Sequence, residues 1–418
     1  MQSGSHDVGA ETSVICCGSL YLKSRNPPTK IRNIRARSLL YTALSLFFSV
    51  LSFASAPSIY NAMAGAENTE TPAVPRRVLL VSVPRTASNL FLKMLNIPAQ
   101  PRIHTSDKSG YFFYSAFVNA AKDGIFGKEL DQWTPEEIQN FQTTFQRGID
   151  GIEEYTEQAK AENKFMWAKE HAFWFHNPTS LHKQKGVDDS ELVKTLRSGI
   201  HFPECYGPTQ TYSASNETVL SDEYLRTWNI AFIIRHPALA WPSMWRALNK
   251  IASEWDIDED GTFGSSQSNM SMRWSRGLYD WCMEQPDVPT PPPVVDAHDL
   301  IHNPEVALKF CEQTGLDKSV VQFEWKGNDK KSESWAVQGS GPEADEQNTH
   351  QRIASFMLST LETSSGIVKD KAPMEIDIGA EAAKWKVEFG EEAAQFIEQA
   401  VMDSMPDYEF LRARRITV

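Results

Sequence analysis

After residue 76, short apolar runs alternate with stretches of helical periodicity. The runs "RVLLVSV" (77–83), "KFMWAK" (164–169), "NIAFIIRH" (229–236) and "PPVVDA" (292–297) are continuous rather than alternating. Strands of that kind are buried on both faces, as in a parallel sheet covered by helices. Helical patterns lie at 88–96, 238–250, 303–313 and 391–404. This order predicts an α/β fold, a three-layer doubly wound and mainly parallel sheet, as a single domain over 76–418. Two polar, Gly/Ser-rich stretches, 256–271 and 326–350, are expected to be surface loops, with a lid over a site as the alternative.

The N-terminus has a different pattern. Residues 1–38 are basic and expected to be disordered, with Lys23, Arg25, Lys30, Arg32, Arg35 and Arg37 just ahead of a hydrophobic segment at 39–57. With its flanks that segment approaches the roughly 18–20 apolar residues that span a bilayer. Positive charge precedes it, so the positive-inside rule predicts a signal anchor followed by a linker (58–75) and a luminal, Golgi-type catalytic domain. The sequons at Asn216 and Asn269 fit that placement. A cleaved signal peptide ending near 54–56 is one alternative. Translation starting at Met63, which would give a cytoplasmic protein, is another.

Charge and cysteine content narrow the chemistry. A net charge of −13 argues against a nucleic-acid partner, which would need a basic surface, but leaves room for a local basic pocket. Cys16, Cys17, Cys205, Cys282 and Cys311 form no CxxC pair, so no metal site is expected.

Two motifs point to a phosphate-bearing ligand. In "VLLVSVPRTASNLFLKML" (78–95) a strand gives way at Pro84 to a short polar loop and then a helix. In open α/β sheets such a loop lies at the ligand-binding edge, with free N–H groups at the helix start. Arg85, Thr86, Ser88 and Asn89 add a cation and further donors, although the same residues also suit a plain strand-to-helix turn. The Walker pattern GxxxxGK[ST] is absent, and with it the usual grip on a nucleoside triphosphate and Mg²⁺. In "AFIIRHPALAWPSMWRAL" (231–248) a strand ends at Arg235, and Ser243 follows eight residues later. An arginine at a strand end and a hydroxyl on the next helix can converge on one phosphate. Pro242 is expected near the first turn of that helix, where proline is tolerated.

Together these motifs resemble the sulfotransferase family, which uses 3′-phosphoadenosine 5′-phosphosulfate (PAPS). Family members carry P-[KR]-[ST]-G-[TS]-[TS] after a strand, where this chain has Pro84-Arg85-Thr86-Ala87-Ser88-Asn89. They carry a second strand ending in Arg with Ser eight residues on, as Arg235 and Ser243 stand here. "DAHDLIHNP" (296–304) resembles their Y-E-D-L…P segment, and "AKWKVEFGEEAAQFIEQAV" resembles the Trp-containing C-terminal segment of some branches. The resemblance covers about 76–411 and is nearest to divergent fungal sulfotransferase-like proteins. It implies a P-loop-like fold and a transferase that moves a sulfuryl group from PAPS to a hydroxyl, or an amine, of a small molecule or glycan, without a metal. Arg85, Thr86, Ala87, Ser88 and Asn89 would hold the 5′-phosphosulfate, and Arg235 and Ser243 the 3′-phosphate.

"KFMWAKEHAFW" places Lys169 and His171 just beyond a predicted strand, where cytosolic members have Lys-x-His. The resemblance makes His171 the base and Lys169 a stabiliser of the leaving phosphate. Chemistry agrees, because an attacking hydroxyl must lose a proton and charge builds on the bridging oxygen. Glu170, on the other strand face, and His104 are weaker bases. Ala87 replaces the family glycine, Asn89 a hydroxyl residue and Leu90 a frequent tryptophan, and no RKGxxGDWK-like segment is found. The alternatives are a non-catalytic adenosine-phosphate binder and a nucleotide phosphotransferase or hydrolase of the same fold.

Overall fold

The structure, a computed structural model, describes residues 76–105, 110–183, 186, 189–255, 266–286, 290–325 and 364–418. Its centre is a parallel four-stranded sheet in the order β2-β1-β3-β4. The strands are β1 (Arg77–Ser82), β2 (Met166–His171), β3 (Trp228–Ile234) and β4 (Val294–Asp296). Along β1, Val78 and Leu80 enter one core while Leu79 and Val81 enter the other. Ala231 and Ile233 of β3 alternate in the same way with Phe232 and Ile234. Both faces are covered, which is why these segments read as unbroken apolar runs. Each fully buried aliphatic side chain among them contributes about 1.5–3 kcal/mol of burial.

One face is covered by α1 (Ser88–Leu95). The opposite face carries α2 (Tyr114–Lys122), α3 (Pro135–Ala161), α4 (Pro237–Trp255) and α5 (Arg273–Glu284). Next in the chain, α6 (Ala297–His302) and α7 (Val306–Thr314) join α1. Finally α8 (Ile378–Phe389) and α9 (Glu391–Arg412) join the larger face. The fold is the three-layer α/β architecture the sequence pattern predicts. Below the sheet, Arg77 donates to Glu153 and Thr156 of α3, both at 2.8 Å, which ties α3 to the start of β1.

Several expectations change. The segments at 1–38, 39–57 and 58–75 lie outside the described residues. Among those described, no helix is long and apolar enough to cross a membrane, so the expected membrane-anchored, luminal localisation is not supported. The sequons lend it no support either. Asn216 is 4 % exposed and donates to the Leu220 carbonyl and to Asp222, and Asn269 is 1 % exposed and accepts from the Trp174 indole. Neither side chain can carry a glycan in this fold. Asn269 belongs to the tail of the expected 256–271 loop. There Ser266, Ser268 and Met270 are also buried, and Trp274 bonds the Ser268 carbonyl. Polarity in that stretch reflects side chains that bond inside the core. Residues 256–265 and 326–350 lie outside the described residues.

At the ligand edge, β2 extends two residues past its predicted end, so Lys169 and His171 lie within the strand and not beyond it. Ladder pairing with β1 continues through Ser82↔His171 and sets that limit. Pro237, not Pro242, opens α4. Pro242 lies inside the helix, where its missing N–H forfeits the bond to the Ala238 carbonyl.

Candidate functional site

The loop after β1 holds two non-glycine residues in the left-handed region, Arg85 at φ 69° and Ala87 at φ 62°. Thr86 between them is fully buried, and its hydroxyl donates to the Val83 carbonyl at 2.8 Å. That bond closes the turn and directs the hydroxyl inward, leaving the Thr86 backbone as the part that can face a ligand. Ala87 is the N-cap of α1 and makes no side-chain cap bond, while its carbonyl receives the Phe91 N–H at 3.0 Å. The first N–H groups of α1 have no carbonyl one turn back to bond, and a helix start of this kind attracts anions.

Arg235 and Ser243 both reach this loop. Arg85 Nε donates to Ser243 Oγ at 3.0 Å, and Arg235 Nη1 donates to the Arg85 carbonyl at 3.0 Å. Arg235 Nη2 donates to the Lys371 carbonyl at 2.8 Å, while its buried Nε has no partner. Burial, and then the Arg85 charge, lowers Arg235 to about 10. Burial likewise lowers Arg85. Among the described residues no carboxylate forms a salt bridge with Arg235 or Lys169. Two partly buried guanidinium groups are thus held close together, an arrangement that favours an anion between them.

The turn at Lys369–Lys371 is a neighbour that sequence reading did not single out. His302 of α6 donates to the Ala372 carbonyl at 2.6 Å, which fixes the turn against Arg235. Asp296, at the end of β4, caps α6 through the His298 N–H and accepts from the Tyr408 hydroxyl of α9 at 2.8 Å. The "DAHDLIHNP" segment therefore acts as scaffolding. It locks the C-terminal helix and the 369–372 turn to the sheet edge.

Lys169 and His171 share a face of β2 directed to the same edge. Lys169 Nζ donates to Asn89 Oδ1 at 3.3 Å and bonds the Tyr111 hydroxyl. Burial lowers Lys169 to about 7, with Glu170 opposing. An anion bound beside it would restore the ammonium form. His171 Nδ1 lies 2.9 Å from the Ser82 hydroxyl, which can donate its own proton to the Glu170 carbonyl at 3.3 Å. Burial and then the Lys169 charge hold the imidazole well below its usual range, and a bond to the Ser82 backbone acts the other way. When the Ser82 hydroxyl donates to the Glu170 carbonyl, its oxygen is free to accept from a hydrogen on Nδ1. In that tautomer the Nε2 lone pair can take a proton, and the lowered ring is neutral near pH 7.

Glu170 points to the other core, accepts from the Phe112 N–H, and is pushed up by burial to about 8. It organises the 110–113 turn. His104 bonds Phe165 through its backbone at the opposite end of β2 and does not join the site. Ser82 and Tyr111 were not singled out from the sequence. Ser82 looked like any polar residue within a strand, and Tyr111 lies in "GYFFYSAF" (110–117), a stretch that suits either an acceptor pocket for a flat or phenolic molecule or a plain core. The His171 ring meets Trp174 edge-on at 4.4 Å and Tyr111 at 5.3 Å. The base candidate thus faces an aromatic wall that continues through Tyr114 and Phe117.

No protein-family model matches the chain. It is 32 % identical to Sulfotransferase ppzF of Metarhizium rileyi over 359 residues, covering 82 % of this chain and 97 % of that one. It is 34 % identical to Sulfotransferase ppzF of Metarhizium majus over 360 residues, with the same coverage. The sulfotransferase domain of the Synechococcus PCC 7002 olefin synthase aligns over 78 % of this chain and 99 % of its own, at 10 % identity and a TM-score of 0.30, too low to add to the argument. Identity above 30 % over nearly the whole of both fungal relatives shows that the chain belongs to the sulfotransferase family, as a divergent fungal member.

Proposed function

We propose that the protein transfers a sulfuryl group from PAPS to a hydroxyl group of a small-molecule acceptor. The observation that carries this reading is the convergence of Arg85, Arg235 and Ser243 on one loop, with a buried Arg235 Nε that has no partner. A doubly charged phosphate offsets two adjacent, partly buried guanidinium groups, and an uncharged ligand does not. The loop fits the donor's other end. Its N–H groups at 85–88, with Asn89 and Lys169, would hold the 5′-phosphosulfate, and Arg235 and Ser243 the 3′-phosphate. Exposed Lys369 and Lys371 add positive field beside Arg235.

Once bound, PAPS supplies an electrophilic sulfur and a phosphate leaving group. His171 Nε2, unprotonated and oriented by Ser82, takes the acceptor's proton. Lys169 offsets charge on the departing oxygen. The aromatic wall of Tyr111, Trp174, Tyr114 and Phe117 suits a flat, apolar acceptor.

Calorimetry with the desulfo product, 3′-phosphoadenosine 5′-phosphate, tests the reading without an identified acceptor. The parent protein should bind it, and Arg235→Ala should weaken binding by at least about tenfold, since a charged hydrogen bond contributes about 1.5–3 kcal/mol. Absence of binding by the parent, or equal binding by the variant, would refute the proposal.

A further inference from the structure

Tyr111 combines three independent features. Its backbone sits at φ 59°, a region that costs a bulky L-residue energy and persists only where the surroundings enforce it. The enforcing contacts are present. The Tyr111 N–H donates to the Lys169 carbonyl at 2.9 Å, and the next residue's N–H is held by Glu170. This strained turn delivers the phenol hydroxyl to Lys169 Nζ, which also bonds Asn89 of the phosphate loop. The ring meanwhile packs against both His171, at 5.3 Å, and Trp174, at 5.1 Å. One side chain therefore spans the loop, the lysine and the base.

We infer that Tyr111 is a further catalytic residue, its hydroxyl donating a hydrogen bond to the sulfuryl oxygens at the point that Lys169 Nζ faces. The inference rests on the sulfotransferase reading above. In the transfer, the acceptor O–H gives its proton to His171 Nε2 as its oxygen bonds to sulfur. The sulfur–oxygen bond to the 5′-phosphate breaks, and its electron pair leaves on that phosphate. Tyr111 keeps its own proton throughout. Burial, and then the Glu170 charge, raises the phenol above its usual range, so it remains a neutral donor wherever the enzyme is folded. A donor aimed at the equatorial oxygens of the moving group stabilises it without competing with His171 for the acceptor's proton. Lys169 alone presents a single ammonium, and the phenol beside it supplies a second donor in a direction its ring packing fixes.

Tyr111→Phe removes the hydroxyl and keeps the ring and its packing. Binding of PAPS and of its desulfo product, measured by calorimetry on parent and variant, separates the roles. The variant should bind PAPS about tenfold more weakly, the usual worth of one well-placed hydrogen bond. It should bind the desulfo product, which lacks the sulfuryl group, within about twofold of the parent, the scatter expected where no contact is lost. Equal weakening of both ligands, or no change in either, would overturn the inference and leave the sulfotransferase reading standing. A parent that binds neither ligand would overturn both.

Discussion

Replacing Ala87 with glycine isolates the strain in the phosphate loop. Ala87 lies at φ 62°, ψ 20°, inside the left-handed region. An L-residue there pays roughly 1–2 kcal/mol that glycine does not, while glycine gives back about 0.4–1 kcal/mol through the entropy of the unfolded chain. Ala87→Gly should therefore stabilise the protein by about 0.5–1 kcal/mol. The loop is already held without ligand, by the Thr86 hydroxyl on the Val83 carbonyl and by Arg235 on the Arg85 carbonyl. Glycine should consequently leave affinity for the desulfo product unchanged within about twofold, a free-energy change below the effect of a single lost contact. Ala87→Val, β-branched at the same dihedrals, should destabilise. Urea unfolding of the three proteins, compared by midpoint at a common slope, gives the stability order, and calorimetry gives the affinities. A glycine variant no more stable than the parent would refute the strain argument. A several-fold loss of affinity would show instead that the alanine itself keeps the loop competent.

Ser82→Ala should lower kcat by about tenfold, the worth of one buried hydrogen bond, with affinity for the desulfo product unchanged. Nitrogen-15 shifts of His171 should report hydrogen on Nδ1 in the parent, and hydrogen on Nε2 would contradict the orientation assigned to Ser82. Glu170 has its folded value raised by burial to about 8, so its contribution to stability is full below about 4.5 and is lost as pH rises toward 8. Lys169, lowered to about 7, acts in the opposite sense but only above pH 7. Between pH 5 and 7 the advantage of Glu170→Gln over the parent should thus grow, by at most about 2.5 kcal/mol. Thermal melts of both proteins across that range measure it, and a constant difference would count against a buried, protonated Glu170.

The sheet was legible because its chemistry is local. Four continuous apolar runs can be buried only on both faces, and helical periodicity between them leaves the parallel arrangement as the economical fold. Arg235 and Ser243 could be read as a pair because a strand end and the helix after it lie close in sequence as well as in space. The membrane expectation rested on charge and hydropathy alone, and no helix among the described residues is long and apolar enough to support it. The sequons misled in the same way, since an asparagine's sequence context does not reveal that Asn216 and Asn269 spend their amides inside the core.

The sequence by itself determined where the strand motifs fall along the chain, and it singled out the two arginines and the Lys-x-His pair as candidates, because each motif is set by residues within a few positions of one another. Only the tertiary structure decided which partners those residues meet. Ser82 reaches His171 because β1 and β2 pair in one particular register, and Tyr111 reaches Lys169 because a left-handed turn folds back on β2. Lys371 reaches Arg235 from far along the chain because α6 and α9 hold its turn to the sheet edge. Long-range contacts of that kind depend on register, dihedral sign and packing, and none of these leaves a mark in the spacing of residues.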